Sequence, residues 1–176
     1  MAACEKHIAI HEELLKIIKG RRSVRRYSQE PLQLEDLKLL VDSARWAASG
    51  GNLQPWKFVI VMDKKMLKAI KMMAPGIIRD TPPALIVICH DEKRISGDRE
   101  MQLYDIGAAM QNMLLMAHAL GFGACPIASF DGESVAELLD LASHIKPLLL
   151  ICVGKAVDTP KPPHKLSMDE VITKIV

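Results

Sequence analysis

Apolar and polar positions along the chain fall into blocks whose periods assign most of its elements. Ile10, Leu14, Ile17 and Ile18 share one helical face over residues 9–19, and Gly20 is a natural stop. Pro31 introduces a second helix, about 33–47, with Leu34, Leu37, Val41 and Ala44 at helical spacing; Ser49-Gly50-Gly51 closes it. The unbroken apolar run over 58–62 predicts a buried strand, followed by a short helix around Leu67 and Ile70. Residues 84–89 predict a second strand, and the polar residues 90–99 a mobile loop. Residues 101–120 are the longest helical candidate, apolar on nearly every face, which places that helix centrally or in a dimer interface. Strands over 124–128 and 148–153 then flank a helix over 133–141. Ser167-Met168-Asp169-Glu170 has capping-box spacing for a last turn of helix. Val171, Ile172, Ile175 and Val176 make a terminus apolar enough to need docking on something.

Helices and strands mix here without strict strand–helix–strand alternation, so the expected class is α+β rather than a doubly wound sheet. The 176 residues fit one domain, 1–176. A net charge of +2 and an aromatic content of 4% argue against nucleic acid as a partner. The four cysteines include no CxxC pair, and Cys89 and Cys152 lie in apolar runs, so reduced, buried thiols are expected. No long apolar core opens the chain and no apolar stretch reaches a membrane span uninterrupted, so a cytoplasmic protein without membrane contact is expected. His7 and His11 are spaced to share a metal, but no acid or thiol set completes the site, so no metal is expected.

Two segments carry chemistry. Arg21, Arg22, Ser23 and Arg25 bring guanidinium groups and a hydroxyl within five residues. Arginine meets a phosphate with bidentate, charge-assisted bonds. The plainer reading is a solvated basic turn at a helix C-terminus, where the dipole favours cations. The second segment is Ser49-Gly50-Gly51-Asn52-Leu53-Gln54-Pro55-Trp56. Its glycines let backbone approach a flat ligand, and Asn52 and Gln54 can both donate and accept. The plainer reading is a helix–turn–strand connection with a buried tryptophan.

Together, in this order, the two segments resemble the flavin-binding signature of the FMN-dependent nitroreductase family. The resemblance extends from about residue 14 to 171. Gly121-Phe122-Gly123-Ala124-Cys125-Pro126-Ile127-Ala128-Ser129 resembles the family segment that passes beside the isoalloxazine. There, the resemblance implies, a backbone N–H at Ala128 or Ser129 faces flavin N5, with Pro126 and Ile127 alongside. Some members have a glutamate and a glycine in that place. The closing stretch resembles the family's ending, which implies that a basic residue, Lys165 ahead of Lys161 and His164, returns to the FMN phosphate. Arg21, Arg22, Ser23, Arg25, Ser49, Asn52 and Gln54 complete the implied cofactor site.

The resemblance further implies a mostly antiparallel central sheet flanked by helices, in a homodimer with FMN at its interface and exchanged C-terminal arms. It implies an NAD(P)H-dependent oxidoreductase that reduces nitroaromatic or quinone-like acceptors in a ping-pong hydride-transfer cycle. No side-chain catalyst is required by such a cycle. Dehalogenation, flavin breakdown, or a redox-sensing module without turnover are the other functions the same resemblance leaves open.

Overall fold

The computed structural model describes the backbone of residues 2–94 and 99–176 and the side chains of 10–94 and 101–176. Four strands form one antiparallel sheet in the order β1-β2-β4-β3: β1 (Trp56–Val61), β2 (Ala84–Asp91), β3 (Gly123–Ile127) and β4 (Ile145–Gly154). The helices are α1 (Ala2–Gly20), α2 (Leu34–Arg45), α3 (Lys64–Met72), α4 (Arg99–Ala119), α5 (Gly132–Leu138) and the one-turn α6 (Met168–Val171).

The sequence of β2 explains its central place. Every residue from Ala84 to Asp91 is buried, so both faces need apolar side chains and the run reads as continuous rather than alternating. Its side chains divide strictly between two cores. Ala84, Ile86 and Ile88 meet Leu37, Leu40 and Ala44 of α2 and Ile106, Ala109 and Met113 of α4. Leu85, Val87 and Cys89 meet Leu67 and Ile70 of α3 and Val135 of α5. The molecule is therefore a sheet between two helical layers, as the two-residue period of a strand requires.

Edge strands tolerate what central ones do not. β3 holds Pro126, which has no N–H to give a ladder, and β3 has β4 as its one strand partner. Its other side carries a single parallel bridge from Ser23 to Ala124, with Val24 N–H donating to Ala124 O at 3.1 Å. Tyr27 continues that contact by bridging to Ala156. The arginine segment is thus fixed to the sheet rather than left as a free turn. Gly123 permits the approach, since a Cβ there would lie 2.6 Å from Val24 Cγ1.

Three expectations need correction. Residues 90–99 are not a loop throughout: His90 and Asp91 complete β2 and are buried, residues 92–94 form a short turn of 3-10 helix, and Arg99 opens α4. Residues 95–98 of that stretch lie outside the described residues. The polar composition hid the strand end because Asp91 is held by the charges of Lys57 and Arg94, 3.9 and 4.0 Å away, with His144 Nε2 also at 4.0 Å. The second helix stops at Arg45, well before Ser49. The apolar terminus is not docked on its own chain: residues 161–176 are exposed throughout, although Ser167 and Glu170 do form the expected capping box.

Candidate functional site

The loop after α2 is bent into an uncommon backbone shape. Gly51, Asn52 and Gln54 have φ of 57°, 55° and 50°, all in the left-handed region. Asparagine enters that region more readily than most side chains, and glycine without cost. Two contacts hold the bend: Gly50 N–H donates to Asp105 Oδ1 at 3.1 Å, and Gln54 N–H to Ser49 Oγ at 3.1 Å. Gln54 Nε2 reaches Asn52 O and Asn52 Oδ1, each at 3.3 Å. Both amide side chains therefore stand together, with Asn52 exposed. Asp105 escaped the sequence reading. The signal was there, a lone acid within the apolar run of α4.

Arg21 and its neighbours follow the end of α1. Arg22 is occupied by local carbonyls, donating to Lys19 O at 2.6 Å and Arg21 O at 2.8 Å. Arg21 differs: its Nη1 is buried and has no hydrogen-bond partner among the described residues. A buried guanidinium N–H without an acceptor costs about 1–3 kcal/mol or more. An anionic ligand would relieve that cost, so the residue fits a phosphate. Arg25 is exposed, and an open cleft of about 190 Å³ runs beside Arg22, Val24, His118 and Gly123 to Thr159, where the C-terminal segment departs.

Pro126 and Ile127 end β3, and the chain leaves the sheet at Ala128 and Ser129, beyond the last pair, Ile127 with Leu150. Ala128 and Ser129 are exposed, and Ser129 O accepts from Gly76 N–H at 3.1 Å. Cys125 faces the other way, into the α3–α5 core, as a packed thiol that burial pushes up in pKa. Lys165 is exposed on the C-terminal segment.

The chain does not bring its two most specific segments together. Trp56, which follows the 49–54 loop, is level with Lys146 of β4 through His90, whereas Ala124, beside Ser23, is level with Val153. The segments also stand at opposite edges of the sheet. At ~3.3 Å per residue and ~4.8 Å per strand, these corners are roughly 25 Å apart. α4 spans the same diagonal, since Asp105 holds Gly50 at one end and His118 abuts Gly20 at the other. At ~1.5 Å per residue that stretch of helix covers roughly 20 Å.

A sheet of this order between two helical layers, with a left-handed amide loop and an arginine with a buried Nη1 at opposite corners, defines a class of protein that comparison identifies. The model of the nitroreductase family matches residues 18–92 and 78–155. A relative from Archaeoglobus fulgidus, named "Putative NADH dehydrogenase/NAD(P)H nitroreductase", is 34% identical over 152 residues, covering 84% of this chain and 87% of its own. A solved structure of a Parabacteroides distasonis protein with the same name superposes with a TM-score of 0.82 at 30% identity, covering 91% of this chain and 96% of that one. A nitroreductase-like fold solved in complex with FMN, from Exiguobacterium sibiricum, gives a TM-score of 0.82 at 22% identity and covers 92% and 96% of the two chains. The chain belongs to the nitroreductase family of oxidoreductases. No helix among the described residues is long and apolar enough to cross a membrane, and none of their His, Cys, Asp and Glu side chains cluster as a metal site.

Proposed function

We propose that this protein binds FMN non-covalently between two copies of the chain and passes reducing equivalents from NAD(P)H to a nitroaromatic or quinone-like acceptor. The observation that carries the reading is the buried Nη1 of Arg21, without a hydrogen-bond partner among the described residues, in a chain of this family. Bound FMN supplies the centre that accepts a hydride and gives it up again, so the chain's own task is binding, orientation and control of access.

Arg21 and Arg25 hold the phosphate, with Arg22 and Ser23 shaping the turn and Lys165 adding a cation from the C-terminal segment. Ser49, Asn52 and Gln54 present donors and acceptors to the polar edge of the ring. Pro126 and Ile127 set the path of the chain beside it, and backbone N–H groups at Ala128 and Ser129 face it. A ring held by these residues would serve donor and acceptor in turn if one of its faces were left to solvent, as a ping-pong cycle requires.

The distance between the two corners supports a shared site. One chain cannot place both segments on one cofactor. Two chains with antiparallel α4 helices place the 49–54 corner of each beside the 21–25 corner of the other. The outer surface suits such a contact: Leu14 and Ile18 of α1, Leu39 of α2, Trp46, and Met101, Leu103 and Tyr104 of α4 are all exposed. Patches of that kind on a small soluble domain mark interaction surfaces.

The absorption spectrum of the purified protein tests the cofactor directly. A yellow protein that releases FMN on denaturation, and is bleached by NADH or NADPH without air, is the expected result. A colourless protein that also fails to bind added FMN overturns it.

A further inference from the structure

Cys125 on β3 and Cys152 on β4 are direct partners in the antiparallel register. Residues opposed in this way have Cα atoms about 4.5 or 5.5 Å apart, according to whether the pair exchanges hydrogen bonds. A disulfide takes Cα separations of about 4.4–6.8 Å, so either case falls inside its range. Both side chains belong to the same core cluster on the α3–α5 face, and both are free thiols. Cys89 shares that face but pairs with Pro147, five positions along β4 from Cys152, which is roughly 16 Å at the usual rise. Only two of the three described cysteines can therefore meet.

The pair also has an approach. A cavity of about 10 Å³ touches both cysteines, which is about the room one water needs. Its walls include Arg25, Arg79 and Asp80, all exposed residues. Tyr27 also lines the cavity, and its hydroxyl donates to Val24 O and lies 3.4 Å from Cys152 O.

We propose that Cys125 and Cys152 form an oxidisable dithiol that closes to an intrachain, cross-strand disulfide when a small uncharged peroxide enters this cavity. The Cys125 sulfur, having given up its proton, attacks one oxygen of hydrogen peroxide. The O–O bond breaks, and the departing hydroxide takes up that proton to leave as water. Cys125 is then a sulfenic acid. The Cys152 sulfur attacks the sulfenic sulfur, the S–O bond breaks, and a second water leaves with the Cys152 proton. The two thiols lose two electrons and two protons, and the peroxide is reduced to two waters. Cys125 is the attacking member because the guanidinium groups of Arg25 and Arg21 oppose the effect of its burial, whereas burial pushes Cys152 to about 12. The bond would lock the register of β3 one residue before Pro126. It does not depend on FMN.

The test uses the native, full-length protein. It is treated with hydrogen peroxide, alkylated, and digested without reduction by a protease that cuts after Glu133 and Glu137, which separates the two cysteines. The expected product is a linked peptide containing Cys125 and Cys152, lighter than its two parts by two hydrogens and split by dithiothreitol, while Cys89 is recovered alkylated. In Cys152→Ser, or Cys152→Ala should that fold better, the link is lost and Cys125 proceeds to the sulfinic acid. Recovery of both wild-type thiols alkylated at peroxide doses that oxidise exposed methionine overturns the proposal. So does a link that forms only after denaturation, or one that joins two chains.

Discussion

Arg21 is the residue whose environment is most at odds with a purely structural role. Burying a guanidinium N–H without an acceptor destabilises the ligand-free fold, so Arg21→Met is expected to raise the stability of the FMN-free protein by about 1 kcal/mol in urea unfolding. The same change should weaken FMN. Arg25→Ala removes a charge-assisted bond worth about 1.5–3 kcal/mol and should weaken FMN far more than riboflavin, which lacks the phosphate. Equal losses for both ligands, read by fluorescence titration, would move Arg25 off the phosphate. Asp105 tests the other corner. Its carboxylate is buried in α4 and accepts from Gly50 N–H, so Asp105→Ala leaves a loop donor unpaired. A stability loss of about 1–2 kcal/mol and weaker FMN retention are expected, with Asp105→Asn recovering most of both.

At the scale of elements, side-chain caps mark where α3 and α5 begin. Asp63 accepts from Lys65 N–H and Met66 N–H at the start of α3, and Asp131 accepts from Glu133 N–H and Ser134 N–H at the start of α5. The Asp131 carboxyl is held below its ordinary range chiefly by the Ser134 hydroxyl and then by the Ser134 N–H, against an opposing effect of desolvation, with a lesser contribution from the Glu133 N–H. A group depressed in the folded state stabilises that state fully above its unfolded value, about 3.9, and the contribution is lost as pH falls through the folded value. The wild type should thus lose stability on acidification below about pH 4 more steeply than Asp131→Asn, with no pH dependence from this group near neutrality. Denaturant midpoints measured across that range decide the matter. α4 follows a different logic. Its inner face, Ile106, Ala109, Met113 and Ala117, is packed on the sheet, while Leu103 and Tyr104 are exposed. Apolar residues all round the helix therefore serve two surfaces, of which one chain covers one.

For the whole molecule, the exposed helix faces and the undocked terminus point to the same arrangement. Leu166, Met168, Val171 and Ile175 are exposed on a segment that leaves the body beside Arg22. A two-fold dimer with exchanged arms would cover both surfaces and bring Lys165 to the cofactor. A chain lacking residues 159–176 is expected to shift toward monomer and to lose FMN on gel filtration. Sedimentation that shows a full-length monomer at micromolar concentration, still yellow, would contradict this arrangement. So would a truncated chain that keeps both properties.

Element identity was legible in the sequence because it depends on neighbours a few residues away. The unbroken apolar run at 84–89 marked a buried strand, and 101–120, apolar on nearly every face, marked a long helix placed centrally or in a dimer interface. The clustered arginines and the amide loop were equally visible as candidate ligands. Sequence periodicity gave no sign that Nη1 of Arg21 would be buried while Arg25 stayed out, that Asp105 would hold the loop at Gly50, or that Asp91 would end a strand beside Lys57 and Arg94. Each of those depends on which distant segments meet. The pairing order β1-β2-β4-β3 is set by packing between residues far apart in the chain, and it puts the two candidate segments at opposite corners. A local pattern specifies what each segment is; only the closed sheet, with its fixed spacings between strands and along them, specifies what each segment can reach.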